Sequence, residues 1–123
     1  MLFSTLADGS QIPVVGLGTF SSKPEEVLQA VKAAIEIGYR HFDFAYSYQN
    51  QKEIGIALKE VFTEGKVKRE DLWLTSKLFC HHHNQADVIN ELKETLTDLQ
   101  VSYLDLFLIH LPVWFDINYF TIL

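Results

Sequence analysis

The sequence predicts an α/β fold: a parallel sheet with a small hairpin in front of it. Apolar runs ending near residues 43, 78 and 110 alternate with segments whose apolar residues recur every three or four positions. Two of those segments close on a glycine, Gly38 and Gly65, as helix ends often do. Strand followed by helix, repeated, joins successive strands by right-handed crossovers and so pairs them in parallel.

The hairpin comes first. Phe3 to Leu6 and Gln11 to Val15 flank Asp8-Gly9, a pair that supplies the positive φ angles of a tight turn. VVGLGTF (14–20) is a short apolar strand broken by Gly16 and Gly18. Ser22-Lys23-Pro24-Glu25 reads as a capping box, with Ser22 the N-cap and Glu25 three residues on. Val27, Leu28, Val31, Ala34 and Ile35 then mark the buried stripe of a helix ending at Gly38. RHFDF (40–44) is the second parallel strand, and Ile54, Ala57, Leu58, Val61 and Phe62 mark the second helix, ending near Gly65. LWLTSKLF (72–79) is the third strand, and Val88, Ile89, Leu92, Leu96 and Leu99 mark the third helix. YLDLFLIHLP (103–112) is the fourth strand. The charged VKRED (67–71) reads as a solvated turn.

Four strands and three helices make either a small open sheet or half of an eightfold barrel. A full barrel takes about 250 residues, against 123 here. The expected organisation is one partial domain: a hairpin over 1–15, a half barrel over 16–112 and an atypical tail over 113–123, which has no helical signature.

Composition narrows the function. Ten Lys+Arg against sixteen Asp+Glu give a net charge of −6 and no basic stripe, which argues against nucleic acid as partner. MLFSTLADGSQ lacks the basic start and apolar core of a secretory leader. No run reaches the roughly 18–20 apolar residues of a membrane span; YLDLFLIHLPVWF is short and carries Asp105. The single cysteine, Cys80, fits a reducing compartment. A cytoplasmic protein is expected, with neither membrane nor nucleic acid as partner.

Three later strands end in a polar residue: Asp43, Lys77 and His110. In parallel α/β folds the carboxyl ends of strands gather at one face, where active sites lie. Tyr48, on the loop past Asp43, can fold back over that face. Each residue alone has an ordinary reading: a loop cap, a solvated strand end, a core histidine, a packing tyrosine. Together they supply an acid, a base, a phenol and an imidazole. A free tyrosine releases its proton only near pH 10; an ammonium beside it favours the phenolate. Lys77 is placed to do this, Asp43 to hold Lys77, and His110 to donate to a substrate carbonyl. The set suits reduction of a C=O group, with the phenol protonating the alkoxide and the hydride coming from a cofactor.

GLGTF (16–20), GYRHFDFAYSYQNQKEIGIAL (38–58), LTSKLF (74–79) and YLDLFLIHLP (103–112) resemble, in order and spacing, the aldo-keto reductase family, most closely its aldose reductase-like branch. The resemblance covers about residues 7 to 113. It implies the N-terminal half of a (β/α)8 TIM barrel preceded by a β-hairpin, and NADPH-dependent reduction of small aldehydes and ketones. It implies Tyr48 as general acid, Lys77 as the cation that eases its proton release, Asp43 as the partner of Lys77, and His110 as the group orienting the carbonyl. Gly18, Thr19 and Asp43 fall at the nicotinamide end of the cofactor; Phe20, Phe79 and Leu111, with Tyr48 and His110, fall in the substrate pocket. Trp is commoner at positions 20, 79 and 111 in that branch, and Leu111 in place of a Trp removes a large flat wall, which bears on substrate preference. Gln51 stands where the family usually has Glu, a change expected to touch packing. The residues that grip the nicotinamide amide and the adenosine phosphate belong to strands of the family beyond those present here.

Two other motifs carry less. Cys80-His81-His82-His83 offers metal-binding atom types, but adjacent side chains diverge and no second ligand pair stands at metal spacing; a loop is expected. GLGTF lacks the GxGxxG spacing and the immediate helix of a Rossmann fingerprint. The alternative to an active reductase is a catalytically silent fragment, acting if at all through protein interaction, with self-association through an exposed half-barrel edge.

Overall fold

A computed structural model of the chain describes residues 2–80 and 82–113. The tail expected over 113–123 lies, beyond Val113, outside the described residues. Strand β1 (Phe3–Thr5) pairs antiparallel with β2 (Gln11–Pro13), Phe3 opposite Pro13. The turn between them differs from the expected tight one. Only Gly9 takes a positive φ, +89°, and Asp8 acts instead through its carboxylate, which accepts the Ser10 N–H at 2.9 Å. The loop closes with the Leu6 N–H on the Ser10 carbonyl, so the hairpin carries a longer turn than two residues.

Next come β3 (Leu17–Gly18), α1 (Pro24–Glu36), β4 (His41–Asp43), α2 (Gln51–Thr63), β5 (Trp73–Leu78), α3 (Gln85–Leu99) and β6 (Leu106–Ile109). Short 3-10 turns at Tyr46–Tyr48 and Arg69–Asp71 lie before α2 and β5. The four later strands form one parallel sheet in chain order, β3-β4-β5-β6. Because each right-handed crossover steps the same way, all three helices fall on one face. That is the sense in which a barrel wall is laid down; a doubly wound sheet reverses direction midway.

Helix α1 does not start as expected. Its N-cap is Lys23, in extended conformation and without a side-chain cap, so the Ser22–Glu25 capping box does not form. Pro24 is the reason: its ring disfavours helical backbone at the preceding residue and fits the first helical position itself. At the other end Gly38, at φ +100°, lets the Tyr39 N–H reach back to the Ala34 carbonyl at 2.8 Å.

Val27, Val31, Ile54, Leu58, Phe42 and Leu74 are fully buried between the helices and the sheet. Each such side chain contributes about 1.5–3 kcal/mol through burial. Helix α3 departs from its expected stripe. Its fully buried line is Glu91, Thr95 and Leu99, while Ile89 is exposed. The polar members have partners. The Glu91 carboxylate accepts the Phe79 N–H at 2.8 Å and pairs with the His82 ring; Thr95 Oγ1 receives Gln51 Nε2 at 3.4 Å. Gln51 in turn accepts the Ser76 hydroxyl at 2.7 Å, so one buried amide ties α2, β5 and α3 together.

Arg69 is another correction, since it is not merely solvated. It bonds the Leu72 and Tyr103 carbonyls, pairs with Asp105 at 2.7 Å, and lies 3.9 Å over the Tyr103 ring. Asp105 also accepts the Leu74 N–H at 2.8 Å. This latch, with the Asp105 N–H donating to the Leu74 carbonyl at 3.0 Å, aligns residues 103–105 with β5, and β6 begins at Leu106.

Candidate active site

Strand register and the two-residue alternation of side chains assemble the site. Gly18 stands opposite Asp43, Asp43 opposite Thr75, Thr75 opposite Leu106 and Lys77 opposite Leu108. Leu74, Ser76 and Leu78 turn towards the helices. Asp43, Lys77 and, one step past β6, His110 therefore share the other face, at the carboxyl ends of their strands. The His110 N–H continues the ladder to the Leu78 carbonyl at 3.0 Å. Tyr48 arrives from the turn after β4, which a left-handed Gln49 (φ +54°) ends so that α2 can begin.

Lys77 is the hub. Its ammonium lies 2.7 Å from Asp43 Oδ1, 2.7 Å from the Phe44 carbonyl and 3.3 Å from the Tyr48 hydroxyl. An ammonium has three protons to donate, and three oxygens take them. The Tyr48 oxygen is thus an acceptor from Lys77, and its own proton is left to point elsewhere. The Lys77 side chain is 12% exposed and that of Asp43 39%, so the pair sits at a boundary between solvent and interior.

His110 packs edge-on against the Tyr48 ring at 5.7 Å and against Phe79 at 6.4 Å. Its proton affinity is lowered, first by burial and then by the Lys77 ammonium, with Asp43 and Glu91 pulling the other way. The imidazole is therefore neutral at pH 7, with one nitrogen a donor and the other an acceptor. Phe20 is 72% exposed yet meets the Tyr48 ring edge-on at 5.2 Å. Leu111 is exposed just beyond His110. Thr19 is buried, and both its N–H and its hydroxyl donate to the Asp43 carbonyl. At Gly18 no atom lies within 4 Å of where a β-carbon would be, so a flat ring can approach the backbone beside Asp43.

Three residues at the site escaped the sequence reading. Ser47 places its hydroxyl 3.3 Å from His110 Nδ1. Asn50, fully buried, donates to the Thr19 and Ser22 carbonyls and pins the loop that carries Phe20. Glu91 anchors Phe79 from behind through its backbone N–H. The one available signal was Glu91, an acid between apolar helix positions; the other two make contacts with segments distant in sequence. Cys80 is buried and His82 pairs with Glu91; His81 lies outside the described residues.

Comparison with known proteins points to one family. The profile of the Aldo/keto reductase family matches residues 14–116. An aldo/keto reductase of Synechocystis is 51% identical over 92% of this chain and 35% of its own length. Human aldo-keto reductase family 1 member A1 is 50% identical over 90% of this chain and 34% of its own. The aldose reductase of Schistosoma japonicum superposes with a TM-score of 0.89 at 48% identity, over 93% of this chain and 38% of that one. The aldo-keto reductase of Bombyx mori, solved in complex with NADP, gives 0.90 at 40% identity, over 95% and 40%. The chain thus spans about a third of the length of the curated relatives it matches, and its sheet and helices are part of an α/β barrel wall. It belongs to the aldo/keto reductase family.

Proposed function

We propose that these residues carry the proton-transfer half of an NADPH-dependent reduction of small aldehydes and ketones to alcohols. The observation that supports this best is the Lys77 ammonium donating to Tyr48, Asp43 and Phe44 together. NADPH, when bound, supplies a hydride to the carbonyl carbon and becomes NADP+. The carbonyl oxygen gains the electron pair of its π bond and takes the proton from the Tyr48 hydroxyl. The resulting phenolate rests against the Lys77 ammonium, whose orientation Asp43 maintains. His110, neutral and held between two rings, directs an N–H at the same oxygen. Phe20, Phe79 and Leu111 shield the carbonyl from water.

Gly18 and Asp43 fit the reacting end of such a cofactor, because the space at Gly18 lies open beside Asp43, the carboxylate partner of Lys77. Thr19 acts from beneath, its hydroxyl holding the Asp43 backbone. The Bombyx relative, solved with NADP, supports the choice of cofactor. A reducing, cytoplasmic setting is part of the proposal. Among the described residues no helix is long and apolar enough to cross a membrane.

Substituting Tyr48→Phe removes the proton donor and also the oxygen that accepts one Lys77 proton, while the ring and its packing stay. Aldehyde turnover is expected to fall by on the order of 10²–10⁴-fold, with NADPH affinity, read by fluorescence titration, unchanged. Undiminished turnover would remove Tyr48 from this role. A second reading, a silent chain that associates through its sheet, is favoured by Ile109, 66% exposed on β6. The same titration separates the two: micromolar NADPH binding excludes silence, and no binding excludes reduction by this polypeptide alone.

A further inference from the structure

The turn Tyr46–Tyr48 brings a hydroxyl, Ser47 Oγ, to 3.3 Å from Nδ1 of His110, 63 residues away in sequence. The ring itself is fixed between Tyr48 and Phe79. With Nδ1 facing Ser47, Nε2 occupies another flank of the ring. In a neutral imidazole the hydrogen bond made by one nitrogen decides which carries the proton. Ser47 Oγ has no other hydrogen-bond partner among the described residues, so its proton is free for Nδ1. Lys77 does not compete, since its three protons are taken by Asp43, Phe44 and Tyr48. We propose that Ser47 is a positioning residue: it donates to Nδ1 of His110 and so keeps the proton on Nε2, the form able to donate to a carbonyl oxygen. Burial and the nearby ammonium keep the ring neutral, as this requires.

The consequence for catalysis rests on the function proposed above, but the tautomer can be measured without turnover. The chain labelled with nitrogen-15 histidine is examined by long-range proton–nitrogen correlation at about pH 8.5, well above the ordinary histidine value. His110→Gln assigns the signals. The native chain is expected to show His110 protonated on Nε2. Ser47→Val, without a donor and matched in shape to Ser47→Thr, should lower the Nε2–H to Nδ1–H ratio by about two- to tenfold, and Ser47→Thr should retain it. If the valine chain does not fold, Ser47→Ala replaces it. A proton on Nδ1 in the native chain, or a donor-free variant with the native ratio, would overturn the proposal. A chain with the expected tautomers that reduces no aldehyde would instead sink the functional reading and leave the role of Ser47 standing.

Discussion

His110 shows how local surroundings set the state of one side chain. The unfolded chain takes up a proton near the ordinary value of 6.5, while the folded ring resists it, through burial first and the charge of Lys77 second. As pH falls through that value the unfolded state binds a proton the folded state does not. The stability linked to this group is therefore whole above about pH 6.5 and is lost as pH falls below it. Between about pH 8 and about pH 5.5 the melting temperature of the native chain should fall further than that of His110→Gln. Parallel declines would mean that the ring titrates alike in both states. The Lys77 site is governed by the same boundary position. A charge pair with one member 39% exposed falls between the surface and buried cases, so its value to the molecule lies in orientation more than in stability.

At the scale of elements, helix contact depends on one absent methyl group. A β-carbon on Gly55 would lie 2.0 Å from the Asp98 carbonyl oxygen, so the backbones of α2 and α3 meet there with nothing between them. Gly55→Ala should destabilise by about 1–3 kcal/mol despite the better helix propensity of alanine. Thermal or urea unfolding would read this, and a neutral or stabilising result would show that α3 slides without cost. Displacing α3 would also disturb Glu91 and Gln51, which fasten it to Phe79 and Ser76. The packing of one helix pair is in this way coupled to a pocket wall.

Across the whole molecule, order grades along the sheet. Strands β4 and β5 have a strand on each side, whereas β6 has β5 alone among the described residues, with Leu108 and Ile109 exposed. Amide hydrogen exchange should be slowest in β5 and at least about tenfold faster in β6. Equal protection across the two strands would show β6 to be covered in solution. The gradient bears on chemistry, because His110 follows β6 directly while Tyr48 and Lys77 belong to the better-held part.

Element types were legible because apolar periodicity and the glycine stops are local signals; Val27, Val31, Ile54 and Leu58 follow their predicted faces into the core. The strand-end residues were legible for a related reason, since parallel strands must bring their carboxyl ends together whatever lies between them. What needed the folded chain was every contact made across sequence distance. Only register lets Lys77 use all three of its protons on Asp43, Phe44 and Tyr48. Ser47, Asn50 and Arg69 act on partners 28 to 63 residues away in the chain. Pro24 overruled a capping motif that matched by letter alone. Periodicity records which face of an element is apolar, and it holds no information about which polar atoms meet once the faces are buried; the packing of strands and helices against one another decides that.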